Sequence, residues 1–539
     1  MIAAADSLRP LAPAELKRRL GEAGEIALLD VREPGQYGDG HSFLAVSLPY
    51  SRLELDAPRL LPRRRTPIVL IDAGDGVAER AARRLAGLGY QEIFAVEGGA
   101  PAWAAAGYTL FKGVNVPSKT LGELVEAQLH TPSLSAKSLR RMQAEGAALV
   151  QLDGRPTEEY RRMTVPGARC CPNAELAHRL NLLVPDPGTP IVVNCAGRTR
   201  SIIGAQSLIA AGAPNPIFAL ENGTQGWELA GLELERGAER LYPERLDATT
   251  LEASRRQARR LIETYGLAVV DEDRLAAWAA DDGHSLYCLD VRTPEEFTAG
   301  HHPLAQSAPG GQLVQATDHW IAVRNARIAL MDDTGLRAAL TALWLRAMGH
   351  RPFIVRSEGP GTSRQSAERA AEAPPQPALP VMPPAALRER LARDQFQVID
   401  LRPSASFRRG HIAGALWSIR PRLTGLGLEP SRPLVLTAET PALAALAAVD
   451  LREIGHEESF FLAPDEAAWL EAGLALEESA GPTDAEAIDY LFFVHGRHDG
   501  DKAAMRAYLA WEQALVGQLD AQERATFDLD PLIERQAGR

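Results

Sequence analysis

Four short apolar runs along the chain end in aspartate: Leu28-Leu29-Asp30, Val150-Gln151-Leu152-Asp153, Cys288-Leu289-Asp290 and Val398-Ile399-Asp400. Each aspartate has an arginine two residues later (Arg32, Arg155, Arg292, Arg402) and a proline close behind (Pro34, Pro156, Pro294, Pro403). Such runs read as buried strands that end in turns. A second apolar run follows in every copy, and the residues just after it are Asp72, Cys195, Asp332 and Ala438. The spacing from the first aspartate to this position is 42, 42, 42 and 38 residues. An Ala/Leu/Arg-rich helical stretch then runs to Gly89, Gly212, Gly349 or Gly455, 17 residues on in all four copies. A glycine just past a helix is a common stop. A third apolar run follows, and three copies close on a tryptophan (Trp103, Trp227, Trp469). Strand, loop, strand, loop, helix, strand predicts an α/β unit with a mainly parallel sheet flanked by helices, written four times in tandem.

The repeat divides the 539 residues into units at 1–112, 113–244, 245–358 and 381–479, with a Pro/Ala/Ser/Glu-rich linker at 359–380. Residues 480–539 fall outside the pattern and read as a helical C-terminal tail, with an apolar patch at Phe492-Phe493 that would pack on a unit or form a homodimer contact. The net charge of −12 and a single compact basic run, Arg63-Arg64-Arg65, argue against nucleic acid as a partner. No window reaches the roughly 18 apolar residues of a membrane span, and the N-terminus does not read as a signal peptide. Four cysteines (Cys170, Cys171, Cys195, Cys288) make no disulfide framework and no metal-ligand spacing, which fits a cytoplasmic protein without a metal.

Among the four equivalent positions only Cys195 is a nucleophile. It opens Cys195-Ala196-Gly197-Arg198-Thr199-Arg200-Ser201, a short glycine-containing loop leading into a helix expected to start near Ser201. Backbone N–H groups in such a loop form an anion-binding nest, and the helix N-terminus adds positive potential. With Arg198 and Arg200 beside it, a thiol there is expected to ionise easily, so no separate base is required. The loop residues Ala196 to Ser201 are the expected substrate cradle, with the arginines assisting an anionic leaving group.

The repeat resembles the rhodanese domain. The motifs that carry the likeness are Asp400-Leu401-Arg402 with Phe407 and Gly410-His411-Ile412-Ala413-Gly414, the run Asp290-Val291-Arg292-Thr293-Pro294-Glu295-Glu296-Phe297, and the active loop of the second copy. The resemblance covers about residues 10 to 475 and implies sulfur transfer through a persulfide on Cys195. A small anionic donor, thiosulfate before mercaptopyruvate, would supply the sulfur to cyanide, a thiol or a protein acceptor, with no cofactor. Asp72, Asp332 and Ala438 would leave the other three units inactive, the two aspartates repelling an anionic donor.

Other residues take structural readings. Asp153 and Arg155 recur in all four copies and are expected to tie strand to loop, with a secondary part in orienting the cradle. Trp227 is expected in the core, with a weaker idea that it walls the pocket. Cys170 or Cys171 could act as a second thiol but reads as a core residue, as does Cys288. His41, His301 and His411 share one position in inactive copies and read as structural. Two other functions remain open: a non-enzymatic scaffold or redox-sensing binding protein, and a phosphatase or arsenate reductase. The latter is disfavoured because Arg200 sits five residues after Cys195, one short of a phosphate-sized loop.

Overall fold

A computed structural model describes residues 8–356, 378–429, 432–491, 497 and 500–537. The Phe492-Phe493 patch and most of the expected linker lie outside the described residues.

Each repeat forms its own sheet. In the second unit the order is Ser133–Leu134, Ile217–Leu220, Ile191–Asn194, Val150–Asp153, Arg169–Cys170, all parallel. The third unit has the same order and sense, and the first and fourth are variations on it. One register recurs: Asp30 lies beside Ile71, Asp153 beside Asn194, Asp290 beside Met331 and Asp400 beside Thr437. The first-strand aspartate is therefore always next to the residue that precedes the nucleophile position. A parallel sheet of this kind buries both faces, which is why the strands are near-continuous apolar runs.

The aspartate–arginine pairs have one geometry throughout. Arg32, Arg155, Arg292 and Arg402 each donate from Nε and Nη2 to the aspartate two residues before. The same Nη2 also donates to a carbonyl eight residues after the arginine's own position: Gly40, Met163, Gly300 or Gly410. The pair closes the loop after the strand, satisfying a buried charge with a forked partner. His41, His301 and His411 place Nδ1 within 2.8–2.9 Å of a carbonyl four residues earlier and stack on Tyr37, Phe297 and Phe407.

The units are not beads on a string. One apolar core runs through the first three and takes in Leu529 and Leu532 of the tail. Val323–Arg324 of the third unit adds an antiparallel strand to the first unit's sheet. Trp344 of the third unit donates to Ser207 of the second at 2.8 Å, and its Arg337 pairs with Glu175 at 2.9 Å. The fourth unit has its own apolar clusters and meets the first through charges, Arg420 on Glu54 and Arg84 on Asp450. Among the described residues no helix is long and apolar enough to cross a membrane.

Candidate active site

Cys195 follows the central strand Ile191–Asn194 and is only 2% exposed. The loop's route is fixed from beneath. Thr224 N donates to Cys195 O at 2.8 Å and Gln225 N to Ala196 O at 3.1 Å. Gly223 makes this possible: at φ +53° a side chain there would stand 2.2 Å from Cys195 O. Asn194, just before the cysteine, donates from Nδ2 to Asp153 Oδ2 at 2.9 Å, and Thr164 Oγ1 donates to the same oxygen at 2.7 Å. Asp153 thus collects Arg155, Thr164 and Asn194 and carries the orientation of the strand end into the loop. Position 164 is histidine in the other three copies (His41, His301, His411). That substitution is legible in the sequence and marks the second unit as different.

The helix starts at Thr199, two residues earlier than the sequence reading placed it, with Arg198 as its N-cap residue and no side-chain cap. Ser201 therefore sits inside the first turn, where its hydroxyl donates back to Arg198 O at 2.8 Å and lies 3.6 Å from Cys195 Sγ.

Both loop arginines are held by carboxylates. Arg198 donates from Nε to Glu123 Oε1 at 2.6 Å, from Nη2 to Glu123 Oε2 at 3.0 Å and also to Glu126, both on the linking helix Val116–Leu129. Arg200 forms a two-pronged pair with Glu159 at 2.7 Å on each arm. Burial works against the charge on Arg200, but Glu159 and the nearby Cys195 outweigh it and push its pKa up. Both guanidinium groups are thus held in place by carboxylates beside the loop.

The cysteine opens onto a cavity of about 330 Å³, within the range of small-molecule sites. Its wall is composite. The second unit gives the loop with Arg155 and Glu159. The linking helix gives Lys119, the third unit Gln312, Gln315, His319 and Trp320, and the tail Arg497, Tyr508, Trp511 and Glu512. Among the described residues its lining holds six cations (Lys119, Arg155, Arg162, Arg198, Arg200, Arg497) and two carboxylates, Glu159 and Glu512.

Ser201, turned back into the first helical turn, and Asp153 do not line this cavity, and Trp227, Cys170 and Cys171 stand apart from it as well. Trp227 does not wall it; the ring packs in the core with Leu139 and Val192, and Nε1 donates to Glu233 O at 2.9 Å. The tryptophans at the cavity are Trp320 and Trp511. Cys170 and Cys171 are fully buried, and burial pushes the Cys170 thiol up to about 12 and Cys171 well above its ordinary value. Neither fits a second reactive thiol. No group of potential metal ligands occurs among the described residues. Nothing in the repeat pattern signals the third-unit and tail walls, because the tail lies outside it.

The equivalent loops of the other units show what this loop can hold. Asp72 turns its carboxylate into its own loop, accepting from Gly74 N at 2.9 Å and Ala78 N at 3.0 Å. Asp332 does the same with Gly335 N at 2.6 Å and Arg337 N at 3.1 Å. In both, a side-chain anion fills the backbone nest. In the fourth unit Ala438 offers neither anion nor nucleophile, and the helix begins three residues later at Pro441.

Fold and site together define a class, and comparison with known proteins agrees. The family model described as "Rhodanese-like domain" matches residues 12–106, 135–230 and 272–359. The chain belongs to the rhodanese family, and the model matches three of its repeated units. A crystal structure of thiosulfate sulfurtransferase from Pseudomonas aeruginosa is similar over 96% of this chain and 99% of its own, at 40% identity and a TM-score of 0.87. The HTH-type transcriptional regulator Rv0324 of Mycobacterium tuberculosis is 40% identical over 103 residues, so the chain matches 44% of that protein's length.

Proposed function

We propose that the protein is a sulfurtransferase that takes sulfane sulfur from thiosulfate, holds it as a persulfide on Cys195 and passes it to a small acceptor. The observation that carries this reading is the pairing of one cysteine with one cavity lined by cations, set in a loop that in the first and third units holds its own aspartate carboxylate. The full-length similarity to a protein titled thiosulfate sulfurtransferase supports it.

The cycle is covalent and two-step. The Cys195 thiolate attacks the outer sulfur of thiosulfate. The sulfur–sulfur bond of the donor breaks, and sulfite leaves with the bonding pair. Arg200 faces the charge that develops, already oriented by Glu159, so little reorganisation is needed at the moment of reaction. The acceptor then attacks the outer sulfur of the persulfide, and the Cys195 thiolate is the leaving group. Cyanide would give thiocyanate, and a thiol would give its persulfide. Because Cys195 is reached through a walled cavity, a small acceptor fits better than a cysteine on a folded protein surface.

The test is a burst measurement. Mixed with thiosulfate and no acceptor, each chain should release one equivalent of sulfite and then stop until a thiol or cyanide is added. No burst with thiosulfate, but one equivalent of pyruvate from mercaptopyruvate, would change the donor. No burst with either would defeat the reading.

A further inference from the structure

The tail helix Lys502–Gln518 lies outside the repeat, yet it reaches the cysteine loop. Its Glu512 is 1% exposed and sits at the cavity wall. One carboxylate oxygen, Oε1, accepts from Thr199 Oγ1 at 2.6 Å and lies 3.6 Å from Lys119 Nζ. The other, Oε2, has no hydrogen-bond partner among the described residues and faces Gly197, where a methyl group would stand 3.2 Å from it. Thr199 is the first residue of the loop helix, and Gly197 is two residues from the nucleophile. The linking helix completes the clamp: Lys119 also donates to Tyr508 of the tail, and Gly122 lets Thr199 pack against it so closely that a side chain there would meet Thr199 Cγ2 at 3.0 Å.

A buried carboxylate pressed on an anion-binding loop is unexpected if the loop were built only for the tightest grip. Burial opposes the charge, but Lys119, the Thr199 hydroxyl, Arg497 and Arg198 outweigh it and hold the Glu512 carboxyl below its ordinary value. It is therefore an anion at neutral pH. In a shielded site its field reaches the nest only partly screened.

We infer that Glu512 is a positioning residue with two effects: through Thr199 it fixes the start of the loop helix, and through its charge it weakens the loop's hold on anions. A site that bound thiosulfate too firmly would also hold sulfite, the product of the first step, and binding both equally gains nothing in turnover. The tail is then a part of the active site that sets anion affinity. This inference rests on the donor reading above.

The two effects have opposite signs, which makes them separable. Glu512→Gln keeps an oxygen for Thr199 and removes the charge. Thr199→Val keeps the charge and removes the bond. Both are placed in the unreactive Cys195→Ser full-length chain, and thiosulfate binding is measured by calorimetry. Glu512→Gln should tighten thiosulfate at least about threefold, on the scale of a partly screened charge near a buried site. Thr199→Val should weaken it. In the reactive chain, Glu512→Gln should lower KM for thiosulfate while kcat falls, as sulfite leaves more slowly. A purely structural Glu512 would instead weaken binding in both variants, and that result, or no change with Glu512→Gln, overturns the inference. If thiosulfate binds neither protein and mercaptopyruvate binds, the donor reading fails and the same comparison with mercaptopyruvate decides this one. If neither ligand binds, both readings fall.

Discussion

The loops at Asp72 and Cys195 share a fold, a register and a glycine beneath them, Gly99 and Gly223, yet one is self-filled and the other is open to a cavity. In the first unit Ala100 N donates to Asp72 O just as Thr224 N donates to Cys195 O, both at 2.8 Å. What differs is the anion. Asp72 brings its own carboxylate to the nest, while the second unit has a cysteine at that position and a cavity beside it. The aspartates of the first and third units fill their own loops with carboxylate, so repulsion is not the only reason to expect no donor there. The difference teaches that this loop is an anion holder first, and that chemistry depends on what else surrounds it.

The largest effect that would break the comparison is at the nucleophile. Cys195→Ser should lower sulfur transfer by at least about a thousandfold, as loss of a covalent nucleophile does elsewhere. Asp72→Asn and Asp332→Asn should leave turnover within about twofold, since neither loop serves the reaction. Residual turnover in Cys195→Ser, read as thiocyanate formed from thiosulfate and cyanide, would sink single-site catalysis.

The converse swap sharpens the role of the walls. Asp72→Cys in the Cys195→Ser background supplies a thiol in the same loop but outside the composite cavity that Cys195 lines. Turnover should stay below about one hundredth of the natural chain's, because positioning and shielding supply much of the rate. Recovery to a tenth or more would mean that the loop alone suffices.

Arg200→Gln should raise KM for thiosulfate about tenfold, the scale of one charge-assisted contact. On the proposed cycle it should also lower kcat, because sulfite departs beside this guanidinium. Steady-state kinetics would show a smaller effect if Arg200 only anchored Glu159.

The smallest expected effect is on stability. Burial, opposed in part by Arg337 and the loop N–H groups, pushes Asp332 up to about 6 from its ordinary 3.8. The folded chain holds that proton more tightly than the unfolded chain does. The stability it contributes is therefore present below pH 3.8 and is lost as pH rises through about 6. Asp332→Asn should flatten the thermal-unfolding profile across that window. An unchanged profile would remove Asp332 as the source.

The repeat made the fold legible, because parallel strands buried on both faces leave apolar runs at fixed spacing and the Asp–Arg closure recurs with them. Cys195 stood out as the candidate nucleophile for the same reason: it stands at a position defined by spacing. The cavity was not. Its walls come from residues more than a hundred positions away, such as Trp320 and Glu512, and the tail carries no repeat to align. The partners of Arg198, Glu123 and Glu126, lie on a linking helix whose angle to the loop no local pattern encodes. Trp227 was ambiguous because an aromatic residue near a site looks the same from sequence whether it faces core or cavity.

The central claim is that four copies of one loop share a single reactive sulfur. Its most direct test is the intact mass of the natural chain after thiosulfate, followed by peptide mapping without reductant. One added sulfur atom per chain, carried by the peptide containing Cys195, is the predicted result. Added sulfur on Cys170, Cys171 or Cys288, or more than one atom per chain, would contradict it.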